Sequence, residues 1–197
     1  MKKKTKALML VLCAVLLVTA SVLGTMAYLT STEKVVNTFT VGKVAITLDE
    51  AQVNPDGTPV AGAARVKGNA YHLLPGHGYT KNPTVHVQAN SENSLIFVKV
   101  ENGIANYEAG TTIAAQIAEN GWTALTGVKN VYYKNYVKSA AITDLPVFGN
   151  FTIADHANDT DGWNSISADT KVTVTAYAVQ HDGFASAAEA WNATFGA

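Results

Sequence analysis

The stretch KVTVTAYAV, residues 171–179, indicates the fold class of this chain most clearly. Valine, threonine and tyrosine are side chains that pleated strands favour, and here they fill both alternating faces. Such residues on both faces are typical of a central strand, in the interior of a sheet. The sequence therefore predicts a central β-strand at this position.

Period-2 alternation recurs through the rest of the chain. In residues 84–88 two valines share one face, while polar side chains, His86 among them, share the other. In residues 96–101, three β-branched residues on one face alternate with Phe97, Lys99 and Glu101 on the other. Further strands are predicted near residues 38–48, 70–74, 130–138 and 147–154, separated by turns rich in Gly, Pro and Asn.

Two short segments are predicted to be helical instead. Residues 111–120 carry Ile and Ala at helical spacing after a threonine that can serve as N-cap. Residues 185–195 are rich in Ala, and Ser186 and Glu189 have the spacing of a capping box. Many strands with two peripheral helices, and no internal repeat, predict one all-β domain, an antiparallel β-sandwich.

Length and composition set the limits of this interpretation. The chain has 197 residues, of which 48% are hydrophobic and 15% charged, which suits one domain with a sizeable core and excludes collagen and a mostly disordered chain. Four of the 14 Lys and Arg residues lie in the first six positions, which leaves 10 against 15 Asp and Glu. An acidic domain without a basic cluster is a poor ligand for phosphate backbones, so we expect no nucleic-acid partner.

The first 27 residues have the organisation of an export signal. A basic start precedes an uncharged apolar run at residues 7–23, and Thr25 and Ala27 supply small residues at the −3 and −1 positions of a signal-peptidase site. We therefore predict a signal-peptide helix at 1–27, cleavage between Ala27 and Tyr28, and a single mature domain at 28–197. The alternative is an uncleaved membrane anchor, since 17 apolar residues are at the short limit for spanning a bilayer.

The single cysteine, Cys13, lies inside this signal. The exported part is therefore expected to contain no catalytic thiol, no disulfide and no Cys metal ligand.

The apolar pattern changes parity around Gly42. Val35, Phe39 and Val41 are odd-numbered, whereas the apolar residues of 44–48 are even-numbered. One pleated strand cannot keep both sets on one face without an extra residue. The segment before Gly42 is therefore either structurally separable from the strand after it, or part of an ordinary bent edge strand.

Several stretches resemble one known family. GTMAYLTST (24–32) and NTFTVGKV (37–44) are similar to the signal region of proteins processed by a SipW-type signal peptidase, which marks the TasA/camelysin family of Gram-positive bacteria. LPGHGYTKNPTV (74–85) resembles the Pro-Gly edge-strand segment of that family. AYAVQHDGF (176–184) resembles a clostridial branch of alternate-signal exported proteins.

This resemblance implies a jelly-roll-like β-sandwich and secretion to the cell surface or biofilm matrix. It also implies assembly into fibres, in which the N-terminal segment of one subunit completes the sheet of the next. The candidate donor strand is 28–41, with Val35, Phe39 and Val41 filling alternate pockets. The expected partners are a SipW-type signal peptidase and further copies of the chain, with membrane contact only through an uncleaved signal.

No catalytic residue and no cofactor is predicted. The camelysin name implies the alternative of a secreted metallopeptidase, but the His-Glu-x-x-His motif is absent and no ligand spacing is matched among the five histidines. Another alternative is a monomeric surface module that binds a glycan or a protein.

The best metal candidate is a weak calcium site at Asn158, Asp159 and Asp161, ahead of Gly162. When the loop is aligned with an EF-hand calcium loop, Ala157 and Ala168 occupy the first and last ligand positions, where acidic residues are needed. An Asx-rich surface turn is therefore the preferred interpretation.

Overall fold

The computed structural model describes residues 3–29, 42–155, 166 and 170–196. The chain divides into two compact units, residues 1–40 and 41–197. The first unit contains helix α1, Lys3–Leu29. Within the described residues, no helix combines the length and the apolar character needed to cross a membrane.

The second unit is built mostly of antiparallel β-sheet. Its strands are β1 (Ile46–Asp49), β2 (Gly78–Thr80), β3 (Thr84–Val87), β4 (Ser94–Asn102), β5 (Thr123–Ala124), β6 (Val131–Tyr136), β7 (Thr143–Pro146), β8 (Asn150–Thr152) and β9 (Val172–Gln180). They form sheets of order β1-β3-β7, β2-β8 and β5-β6-β4-β9. The helices of this unit are α2 (Ile113–Glu119), α3 (Ala187–Thr194) and a 3-10 turn at Ala105–Tyr107. The predicted β-rich fold with short helices is confirmed.

The two larger sheets share one hydrophobic core. Val85 and Val87 of β3 belong to the same buried cluster as Ile96 and Val98 of β4, and all four are fully buried. A second cluster lies on the other face of β4, where Phe97 packs against Trp191 of α3 with ring centroids 5.3 Å apart. Strand β4 is therefore covered on both faces, as alternating apolar residues of both parities require.

Among residues 42–155 and 170–196, β9 is the last strand in the order β5-β6-β4-β9, so no described strand gives 171–179 the central position that the sequence predicts. Its even-numbered side chains face the main core, while Tyr177 packs on the opposite face against Trp191 and Phe195, with ring centroids 5.2 and 5.0 Å apart. Helix α3 thus covers the second face of β9 around Tyr177 and Val179, whereas Thr173 and Thr175 on that face are exposed. The side-chain pattern indicates which faces can be covered, and it carries no information about the strands on either side.

Most other strand predictions are confirmed with shorter bounds, and residues 38–48 yield a described strand only from Ile46 onward. Residues 70–74 form no strand, so the prediction of a strand there is wrong. His72 N–H donates to the Pro55 carbonyl at 2.8 Å, and Leu74 N–H donates to the Tyr79 hydroxyl at 2.7 Å. These bonds fix an irregular segment whose odd-numbered side chains still pack against the core, which explains the alternation.

Both helix starts follow the predicted capping chemistry. The Thr112 hydroxyl accepts the Ala115 N–H at 3.2 Å, and the Ser186 hydroxyl accepts the Glu189 N–H at 3.1 Å. The Glu189 carboxylate reaches back to the Ala185 N–H at 2.8 Å, one residue earlier than in a standard capping box.

Substitution of two glycines in the 54–62 loop would test how closely this loop packs on the core. Gly57 and Gly62 both have positive φ, +82° and +71°. A β-carbon at Gly57 would lie 2.7 Å from the Cα of buried Tyr79, whereas one at Gly62 would meet nothing within 4 Å. We expect Gly62→Ala to lower the free energy of unfolding by about 1 kcal/mol, since it adds only backbone strain. Gly57→Ala should lower it by clearly more in urea denaturation. Equal losses in the two variants would contradict this packing.

Candidate functional site: an open sheet edge

One side of β9 has no strand partner among residues 42–155 and 170–196. On its other side β9 pairs with β4 along its whole length, and the ladder continues to the Gly103 N–H, which donates to the Lys171 carbonyl at 2.9 Å. Backbone groups alternate in direction along a strand, so the odd-numbered residues of β9 face β4. The N–H and C=O groups of the even-numbered residues therefore face the open side; these are Val172, Val174, Ala176, Ala178 and Gln180.

The core is incompletely covered along this edge. Val172, Val174, Ala176 and Ala178 pack against the main core yet remain half-buried, whereas the core-facing residues in the middle of β4 have no exposed surface. Two of the four are alanines, whose side chains are short. The edge thus combines backbone groups that pair with no described strand and apolar surface, and these are the two features that an added strand uses.

Strand β1 flanks the same side of the molecule. It is the edge strand of the sheet β1-β3-β7 and lies beside β9 without forming a ladder with it. A groove of about 500 Å³ is lined by Leu48, Asp49 and Glu50 on one side and by residues 171–174 on the other. Part of the outer edge of β1 is occupied, because Glu50 exchanges backbone hydrogen bonds of 2.9 and 2.8 Å with Val66.

A polar cluster holds β1 in its sheet. His86 of β3 contacts Asp144 of β7 through Nδ1 at 2.6 Å and Asp49 of β1 through Nε2 at 2.9 Å, and Arg65 also pairs with Asp49. Burial acts to lower the pKa of His86, but the hydrogen bonds to the two carboxylates outweigh it and raise that pKa above its ordinary value. Burial likewise acts to raise the pKa of Asp49, but the hydrogen bonds from Arg65 and His86 lower it. The imidazole thus bridges three strands, and the two carboxylates favour its protonated form.

The structure describes two of the predicted site residues and leaves the others outside the described ranges. Ala27 and Tyr28, at the predicted cleavage site, lie near the C-terminal end of α1. The donor-strand residues Val35, Phe39 and Val41 and the calcium candidates Asn158, Asp159 and Asp161 lie outside the residues that the structure describes. Among the described residues, no group of three His, Cys, Asp or Glu side chains is arranged to hold a metal ion.

The features of this site that sequence reasoning missed depend on contacts between distant segments. Asp144 lies directly opposite His86 in the β3–β7 ladder, but the sequence predicts no strand at the position of β7. Arg65 reaches Asp49 from an irregular loop. No local pattern indicates either contact.

Comparison of the chain with protein-family models, with curated proteins and with solved structures gives no match. The function of the chain must therefore be inferred from the geometry of its described residues.

The His86 bridge predicts a specific pH dependence of stability. Because the folded-state pKa of His86 is raised above 6.5, its contribution is complete below pH 6.5 and is lost as the pH rises through the raised value. We expect the free energy of unfolding, measured in urea, to fall as the pH rises above about 6.5, and this fall to be absent in His86→Gln. His181→Gln, at an exposed position, is the control and should keep it. The same pH profile in His86→Gln and in the unmodified protein would contradict the bridge.

Proposed function

We propose that this chain is an exported, non-enzymatic structural protein of the cell surface or biofilm matrix, of the TasA/camelysin type. In this proposal it has a jelly-roll-like β-sandwich and polymerises when the N-terminal segment of one copy pairs with β9 of the next. The observation that carries the proposal is the edge of β9, with which no strand of residues 42–155 pairs.

This edge lacks the features that normally protect a free edge strand. Soluble proteins guard such edges with charged residues, prolines or bulges. Strand β9, VTVTAYAVQ, contains no charged residue, no proline and no glycine over nine residues. Its ladder with β4 is continuous and shows no bulge. A long unprotected edge is therefore suited to pairing with another chain.

The proposed occupant is residues 28–41 of a second copy. Its apolar residues Val35, Phe39 and Val41 are all odd-numbered, so an extended strand presents them on one face. That face would cover the half-buried side chains of β9, which include Ala176 and Ala178.

Export and assembly would then be coupled. The segment 28–41 directly follows the predicted cleavage site at Ala27 and Tyr28. Before cleavage by a SipW-type signal peptidase, the donor segment is joined to the signal helix. Removal of the signal gives it a free end and permits it to enter the edge of another subunit.

The test is polymerisation of the mature protein, residues 28–197, observed by electron microscopy and sedimentation. We expect the mature protein to form fibres and a variant lacking residues 28–40 to remain monomeric. Phe39→Ala should strongly reduce polymerisation, because it removes the largest apolar side chain of the donor face. Thr38→Ala changes the opposite face of the same segment and should polymerise normally.

The proposal is wrong if the variant without residues 28–40 still polymerises, or if the mature protein never does. A monomer that hydrolyses casein and contains stoichiometric zinc would favour the metallopeptidase alternative. A monomer that does neither would favour a surface-binding module.

A further inference from the structure

The Glu50 carboxylate forms hydrogen bonds with a lysine and an asparagine side chain inside the second unit. Its Oε2 accepts from Lys81 Nζ at 2.7 Å, and its Oε1 accepts from Asn69 Nδ2 at 2.9 Å. The side chains of Glu50 and Lys81 are only 5% and 11% exposed. One buried carboxylate thus holds an amine and a carboxamide next to each other.

The Asn69 carboxamide is fixed and polarised by the backbone. Its Oδ1 accepts the Val53 N–H at 2.9 Å, and its Nδ2 donates to the Ala51 carbonyl at 2.8 Å. An N–H directed at Oδ1 stabilises negative charge that develops there when a nucleophile attacks Cγ. The hydrogen bond from Nδ2 to Glu50 places a proton carrier beside the nitrogen that would leave.

We propose that Lys81 and Asn69 form an intramolecular isopeptide bond, with Glu50 as the proton carrier. Glu50 takes a proton from the Lys81 ammonium, and the freed lone pair of Nζ attacks Cγ of Asn69. The new bond is Nζ–Cγ and the broken bond is Cγ–Nδ2. Nζ gives up two protons in all, both of which pass through Glu50 to the departing nitrogen. The nitrogen leaves as ammonium, Glu50 returns to its carboxylate form, and no oxidant or other reactant is needed.

An aromatic ring and a cleft adjoin the lysine and the asparagine. The Tyr71 ring lies beside the lysine, with its centroid 5.9 Å from Nζ. Burial, together with the nearby charge of Glu50, raises the pKa of the Tyr71 hydroxyl, which marks an environment with little solvation of charge. A cleft of about 340 Å³ lined by Asn69, Tyr71 and Lys81 opens next to the three groups and gives ammonium a way out. Because the amine and the carboxamide are held together, the reaction is unimolecular and avoids the entropic cost of bringing two molecules together.

Such a bond would provide the covalent link that the sequence otherwise lacks. The only cysteine, Cys13, lies in α1, so no disulfide can join two segments of the second unit. The proposed bond would tie the loop containing Asn69 to the segment after β2.

The test is the intact mass of the purified full chain by high-resolution mass spectrometry. We expect a mass lower than that of the sequence by one ammonia molecule. Trypsin should fail to cleave after the acylated Lys81 and release residues 68–99 as one peptide short by one ammonia, in place of 68–81 and 82–99. The fragment ions of this peptide should show that the side chains of Asn69 and Lys81 are linked.

The lysine variants make the test specific. Lys81→Arg keeps a cation beside Glu50, so the protein should fold, but it removes the nucleophile and should restore the full mass. Lys171→Arg, which alters a lysine lining the same cleft, should keep the loss of ammonia. A full mass in the unmodified protein would overturn the proposal. So would a loss of ammonia that persists in Lys81→Arg, because this would indicate a succinimide at an asparagine.

Discussion

The ladder between β4 and β9 sets the geometry on which the proposed function rests. Nine residues of β9 pair with β4 without a break, and this fixes the direction of every backbone group in β9. The odd-numbered groups are satisfied by β4, so the even-numbered groups face a side on which no described strand lies. Because side chains alternate between the two faces of a strand, the even-numbered side chains of β9 lie in the main core and Tyr177 packs against α3. One register therefore determines the open edge, the incompletely covered core beside it and the covered opposite face.

Strand β1 shows how period-2 geometry assigns neighbouring carboxylates to different environments. Asp49 points to the polar face, where it contacts His86 and Arg65 and ties β1 to its sheet. Glu50, the next residue, is buried and contacts Lys81. Both groups lie beside the groove that separates β1 from β9. The polar interactions of this region thus hold one wall of the proposed docking site in place.

The sequence predicted well what depends on local pattern. The alternation in residues 84–88 and 96–101 corresponds to β3 and β4, and the capping residues Thr112 and Ser186 begin their helices. It predicted poorly what depends on lateral pairing. The apolar faces of 171–179 are the same for a central strand and for an edge strand covered by a helix, so the edge that matters most could not be identified. The contact of Glu50 with Asn69 and Lys81 joins three separate segments, and no spacing indicates it.

Strand addition at β9 would act on individual backbone amides, and amide hydrogen exchange measured by NMR tests it most directly. The variant lacking residues 28–40 would be compared with and without a synthetic peptide of residues 28–41. We expect the amides of Val174, Ala176 and Ala178 to exchange rapidly alone and to become protected when the peptide is added. Those of Thr175 and Tyr177, which face β4, should be protected in both samples. Even-numbered amides that exchange equally with and without the peptide would contradict strand addition at β9.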